Sequence, residues 1–220
     1  VASQGLPPRQ AAPRLLWEKA PFVLASAGAG AVTLLLQGAL MTSLDTLGIG
    51  ARLAITGYAL AFYLWKTLVP WPLSPLYPLA LPVDPWSATY LLPTLVVTLV
   101  TVAVLVLARR WPLGLVVWGS HVVLLLPVTG LLHNGPQIAA DRYTYVAGLG
   151  WAGLVGAGIG WVDRARRDGR VAQALVRAVR GAAAALLVAL TGLTVLQGGV
   201  WGDSVTLWRH AAWVEPASDI

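Results

Sequence analysis

An all-α, polytopic membrane protein is the fold class that composition and patterning predict, and three observations carry it. Of 220 residues, 57% are hydrophobic and only 11% are charged, whereas a soluble domain of this size carries about a quarter of its residues charged. The mean hydropathy is +0.72, which leaves too little polar surface to face water on all sides. Long apolar runs are separated by short polar stretches, and several reach the roughly 20 residues that cross about 30 Å of hydrocarbon. Cysteine is absent, which excludes a disulfide framework, thiolate metal ligation and a cysteine nucleophile. The chain opens on Val1 and stops at Ile220, and we expect it to be a piece of something longer.

Taken in order, residues 1–13 read as a polar, proline-broken linker. Residues 21–41, 86–107, 112–132 and 181–200 are the four clearest spans. A fifth, 143–162, carries Gly148, Gly150, Gly153, Gly156, Gly158 and Gly160, and membrane helices use such small residues for close backbone packing. The sixth run, 53–65, has thirteen residues before Lys66 and then meets Pro70, Pro72, Pro75 and Pro78, which is short for a crossing.

Basic residues set the orientation. Six of the fifteen Lys and Arg lie between Arg164 and Arg180, between two apolar runs, which marks a cytoplasmic loop and argues against nucleic acid as a partner. If 53–65 crosses, giving six spans, nine basic residues fall inside and six outside. If it is re-entrant or interfacial, Arg9, Arg14 and Lys19 move inside and the division becomes eleven to four. The second arrangement satisfies the positive-inside tendency better, so five spans plus one re-entrant or interfacial helix is the preferred reading. Tyr58, Tyr63, Trp65 and Trp71 supply an aromatic belt for it.

On this topology the unusual polar residues gather on the exterior side. Lys66 ends an apolar run and opens a proline-stiffened strip with Trp71 and Tyr77. A cation beside aromatic faces at headgroup depth suits a lipid phosphate, and equally a lysine that snorkels while prolines stop its helix. Asp141-Arg142-Tyr143-Thr144-Tyr145 precedes the fifth span. Its guanidinium either clamps a phosphate bidentately or pairs with Asp141, which would otherwise serve as a helix N-cap. His133 and Asn134 share that loop, Asp84 before Pro85 reads as a turn residue, and no His and carboxylate spacing resembles a metal site. After the last span, Val205, Trp208, Ala212 and Trp213 fall at helical spacing in an amphipathic start whose role is packing.

These stretches together resemble a known family. Gly130-Leu-Leu-His-Asn-Gly-Pro-Gln-Ile-Ala-Ala-Asp-Arg-Tyr-Thr-Tyr145, followed by Gly148-Leu-Gly150, is similar to the region around the ADRYTY motif of bacterial multi-span proteins that couple a glycosyltransferase-C-like domain to tetratricopeptide repeats. Those proteins are relatives of the transmembrane and tetratricopeptide-containing O-mannosyltransferases. Glu18-Lys19-Ala-Pro-Phe22, Thr33, Gln37, Arg52-Leu-Ala, Lys66 through Pro78, Trp201, Asp203-Ser204, Leu207-Trp208 and Pro216 resemble the same family in the same order, while Val146-Ala147 stands where it has Leu-Pro. The resemblance implies that residues 1–200 are the C-terminal part of the membrane domain and 201–220 the start of an exterior helical repeat region. It implies sugar transfer from a polyprenyl-phosphate carrier to a protein or glycan acceptor, on the extracytoplasmic side of a bacterial inner membrane. Lys66 and Arg142 would hold the donor-lipid phosphate, and Trp71, Tyr77, Asp141, Tyr143 and Tyr145 would shape the site. The catalytic carboxylate would lie upstream of Val1, and no metal or other cofactor is implied. A non-catalytic membrane anchor for exterior repeats is the rival reading. A transporter is a third, weakened because His121 is the main ionisable residue inside the long spans.

Overall fold

The computed structural model describes residues 8–37, 47–132 and 137–216, and within these the chain is predominantly helical. It divides into two compact units, residues 1–41 and 42–220. The first contains α1 (Pro8–Gln37). This helix starts inside the stretch read as a linker, with Pro8 in its first turn, where a fixed φ and a missing N–H carry no penalty. Trp17, Phe22, Val23 and Leu24 on it are exposed.

The second unit is built from α2 (Ile49–Leu68), α3 (Ala88–Leu107), α4 (Pro112–Leu125), α5 (Thr144–Arg167), α6 (Gln173–Val200) and α7 (Ser204–Val214). Two short strands, β1 (Tyr77–Pro78) and β2 (Gln137–Ala139), pair antiparallel with Tyr77 opposite Ala139. Three described stretches are long and apolar enough to cross a membrane: Ala88–Leu107, Asp141–Arg167 and Gln173–Val200. No residue of the most apolar stretch of Gln173–Val200 is buried in the protein, as suits a surface whose solvent is lipid.

The run 112–132 is not one helix. Pro127 has no N–H to donate and its ring crowds the preceding turn, so α4 stops at Leu125 and continues as 3-10 turns at Leu126–Val128 and Gly130–Leu132. The run 53–65, in contrast, is longer than its apolar residues suggest. Helix α2 has 20 residues, about 30 Å, because Arg52 and Lys66 are accommodated at its two ends. Beyond Leu68, Pro70 and Pro72 end it, and the Val69 amide is taken by the Trp65 carbonyl.

Helix α2 is the axis of the core. Ile55, Ala59 and Tyr63 are fully buried, and they cluster with Leu47, Tyr77, Tyr90, Leu125, Ile138 and Ala147. Gly57 makes the contact with α3 possible, since a Cβ there would stand 2.2 Å from Thr94 Oγ1. Gly130 lies as close, with Ile55 Cγ2 2.2 Å from where its Cβ would be. The first turns of α2 are pinned by Arg52, whose guanidinium donates to the carbonyls of Leu47 (3.0 Å) and Leu131 (3.1 Å). Irregular chain packs on α2 beside α3 and α5: Tyr63 Oη accepts from the Ala140 amide, and Gly50 approaches Pro85.

Polar side chains fasten the remaining helices. Trp118 Nε1 donates to Thr101 Oγ1 at 3.0 Å, joining α3 to α4. His121, with no exposed surface, stacks on Trp118 and accepts at Nδ1 from Trp151 Nε1 at 3.2 Å, which leaves Nε2–H for the Leu60 carbonyl at 3.4 Å. This histidine therefore joins α4 to α5 and α2. Helix α5 ends where Gly169 adopts φ +74°. The Gly169 amide donates to Arg166 and the Arg170 amide to Ala165, the paired bonds that let a helix turn off at a left-handed glycine. Asp163 pairs with Arg180 at 3.0 Å, tying α5 to α6.

Candidate functional site

Helix α2 delivers Lys66 in its last turn, where a cation complements the helix dipole. The next residues, 69–76, cannot continue the helix and form an extended strip whose carbonyls are free of secondary structure. Those carbonyls become the acceptors of the site. Lys66 Nζ donates to the Pro72 carbonyl, and its ammonium lies 5.5 Å and 5.3 Å from the ring centroids of Phe62 and Tyr77. Only 7% of Lys66 is exposed, so it neither snorkels to water nor stands open to a ligand.

Asp141 fastens the strip from the other side. Its Oδ2 accepts from the Ser74 amide at 2.6 Å and from Tyr77 Oη at 2.9 Å, while Tyr77 Oη also accepts from the Ser74 amide at 3.1 Å. The second carboxylate oxygen, Oδ1, is buried without a hydrogen-bond partner. Burial and the neighbouring Asp141 carboxylate push the Tyr77 phenol far above its ordinary range, so it remains a donor. Asp141 is not an N-cap: Tyr143 occupies that position for α5, and Asp141 opens a 3-10 turn instead. Its backbone carbonyl accepts from Thr144 Oγ1 at 2.7 Å.

Arg142 is exposed and does not pair with Asp141. It donates through Nη1 to the Pro75 carbonyl at 3.3 Å and through Nη2 to Tyr143 Oη at 3.2 Å, with its guanidinium 4.9 Å from the Tyr143 ring centroid. Tyr143 in turn meets Tyr63 edge-on at 6.4 Å. Four of the seven residues singled out in the sequence, Lys66, Tyr77, Asp141 and Arg142, thus meet at the segment 72–77, and Tyr143 joins them through Arg142. The other two, Trp71 and Tyr145, line an adjoining groove of about 270 Å³ with Leu73, Leu190, Gln197 and Trp201.

Four participants were not read from the sequence as site residues, Tyr63 having been placed only in the aromatic belt. Phe62 and Tyr63 precede Lys66 by four and three residues, a spacing that puts all three on one helical face. Ser74, the lone hydroxyl residue in the proline strip, contributes its amide. His210 of α7 carried no signal, yet its Nε2 lies 2.9 Å from the Leu73 carbonyl. Helix α7 docks through Leu207, His210, Ala211 and Val214, whereas Val205, Trp208, Ala212 and Trp213 are exposed. The apolar set at helical spacing is therefore the outer face, not the packing face.

Asp84 is a turn residue: its Oδ1 accepts from the Trp86 amide at 3.0 Å. His133 and Asn134, and the side chains of Arg9, Arg14, Thr33 and Gln37, lie outside the described residues. Among the described residues no three His, Asp or Glu side chains converge as metal ligands. No family model, characterised protein or solved structure matches the chain.

Proposed function

We propose that this chain is part of an integral membrane glycosyltransferase that moves a sugar from a polyprenyl-phosphate carrier to a protein or glycan acceptor on the extracytoplasmic side of a bacterial inner membrane. The observation that carries the reading is the company Arg142 keeps. An exposed guanidinium and a buried ammonium are held by carbonyls of one strip, and that strip borders an apolar groove reaching α6. A phosphate attached to a long hydrocarbon needs both a fork of donors and an apolar cradle. When the glycosyl bond breaks, negative charge grows on the departing phosphate, and Arg142 stabilises it while Lys66 adds positive potential from beneath. Trp71 and Tyr145 bound the cradle; Tyr77, Asp141 and Tyr143 hold the strip and the guanidinium in register. A base that orients the acceptor hydroxyl is also required, and none of the residues gathered here takes that role.

The same proposal puts five spans at α1, α3, α4, α5 and α6, with α2 re-entrant; of these, the stretches Ala88–Leu107, Asp141–Arg167 and Gln173–Val200 are long and apolar enough to cross. The arginine-bearing turns then lie in the cytoplasm, and the strip, the Asp141 turn and α7 lie outside. Irregular backbone at Gly130–Leu132 and Gln137–Ala139 packs beside α2, and such backbone is not tolerated facing lipid.

One observation favours the anchor reading instead: Asp141 and Lys66 are enclosed and engaged within the protein, as a purely structural fastening would be. Binding of a polyprenyl phosphate to the full-length protein separates the two. Arg142→Lys should weaken it at least tenfold despite the retained charge, because lysine lacks the planar fork, and Arg142→Ala should weaken it further. Unchanged binding in both variants would leave the anchor.

A further inference from the structure

We propose that the turns joining α3 to α4 and α5 to α6 form a binding surface for anionic phospholipid headgroups. Eight arginines lie on or beside these turns: Arg109 and Arg110 on the first, and Arg164, Arg166, Arg167, Arg170, Arg177 and Arg180 on the second. The structure sorts them into two kinds. Three are used internally, since Arg166 donates to Gln173 Oε1, Arg170 pairs with Asp168 at 2.8 Å, and Arg180 pairs with Asp163. The other five, Arg109, Arg110, Arg164, Arg167 and Arg177, are exposed and have no acceptor among the described residues. Asp163 and Asp168 are the acidic residues of the two turns, and both are already engaged. The surface therefore carries uncompensated positive charge.

Depth argues for lipid as the occupant. Arg109 and Arg110 follow directly on the apolar α3, and Trp111 beside them is exposed. Arg164 lies three residues past Trp161, also exposed. Tryptophan marks the headgroup level at each membrane face. Guanidinia at that level meet phosphodiesters before they meet bulk water, and each offers a planar fork that matches phosphate oxygens. Clustered basic residues beside membrane helices bind anionic lipid through this charge. The inference needs α3, α5 and α6 to stand in a bilayer; it does not depend on the transferase reading.

The test is association of spin-labelled phosphatidylglycerol and phosphatidylcholine with the full chain reconstituted in phosphatidylcholine vesicles. The fraction of motionally restricted label should favour phosphatidylglycerol several-fold, and the preference should fall in molar salt as the charges are screened. The triple variant Arg164→Gln/Arg167→Gln/Arg177→Gln should lose most of it while leaving the Asp163–Arg180 pair intact. Arg109→Gln/Arg110→Gln, on a separate turn, should lower it independently, so misfolding of one variant does not decide the matter. The charge-neutral control Asp168→Asn/Arg170→Gln should retain it. Equal association of the two lipids with the unmodified chain, or an undiminished preference in both arginine variants, would overturn the proposal. Neither result bears on Arg142, whose test uses a different lipid.

Discussion

Asp141 fastens the strip across the fold: it is 8% exposed, and one of its oxygens serves two donors. Asp141→Ala would remove the shorter acceptor of each, leaving the Ser74 amide with Tyr77 Oη at 3.1 Å and the Tyr77 hydroxyl with the Pro72 carbonyl at 3.2 Å, at a cost of about 1–2 kcal/mol. Asp141→Asn keeps an amide oxygen facing those donors and puts its NH2 where Oδ1 already lacks a partner. It should therefore lose less than half as much. Unfolding by denaturant in mixed micelles would rank the two variants, and equal losses would show that the negative charge, not the acceptor, is what the strip needs. The aspartate and the tyrosines were visible in the sequence as candidates. Their partnership was not, since 64 residues separate Tyr77 from Asp141 and composition carries no record of such a contact.

At the scale of elements, two interfaces yield predictions. Gly57→Ala would set a Cβ 2.2 Å from Thr94 Oγ1 and 2.8 Å from Thr94 Cβ, forcing α2 and α3 apart at about 1–3 kcal/mol. Thr94→Ala in the same chain should recover part of that loss by removing the nearer atom. Helix α7 depends on its cap instead. Asp203 accepts from the Thr206 hydroxyl at 2.7 Å and from the Thr206 amide at 2.9 Å, and these bonds hold its carboxyl below the usual carboxylate range. A depressed value means that the cap's contribution is complete above the unfolded value of about 3.9 and is lost as pH falls through the folded one. Hydrogen exchange of the α7 amides, corrected for intrinsic rate, should rise in that window and not in Asp203→Ala, which has already lost the cap. The signals for these helix ends are local, Asp203 before Ser204, Gly169 after Arg167 and Pro127 inside an apolar run, yet apolar run length alone passed over Pro127 and joined 112–132 into one span. The packing face of α7 has no such signal, because its exposed stripe is as apolar as its buried one.

For the whole molecule, the decisive question is on which side α2 has its ends. The chain lacks cysteine, so single cysteines report cleanly. At Ile49 and Leu68, both largely exposed, they should react with an impermeant maleimide from the same side as a cysteine at Asp84 and from the opposite side to one at Arg167. Labelling of Ile49 and Leu68 from opposite sides would make α2 a full span and move the N-terminal basic residues across the membrane.

Composition and apolar run length by themselves determined that this is a helical protein suited to lipid, because burial in hydrocarbon demands long uncharged stretches whatever their neighbours are. The helix boundaries that rest on proline, glycine and capping residues are local in the same sense. The tertiary structure alone decided that α2 is the buried axis. Its length and its mixture of Arg52, Gly57 and Lys66 say nothing about enclosure until Leu131, Thr94 and Pro72 arrive from elsewhere in the chain. It alone decided, too, that Lys66 is enclosed while Arg142 is open. Both are cations at the end of an apolar stretch, and they differ in whether aromatic rings and a carbonyl from a distant strip close over them, which is a matter of packing between segments and not of sequence pattern.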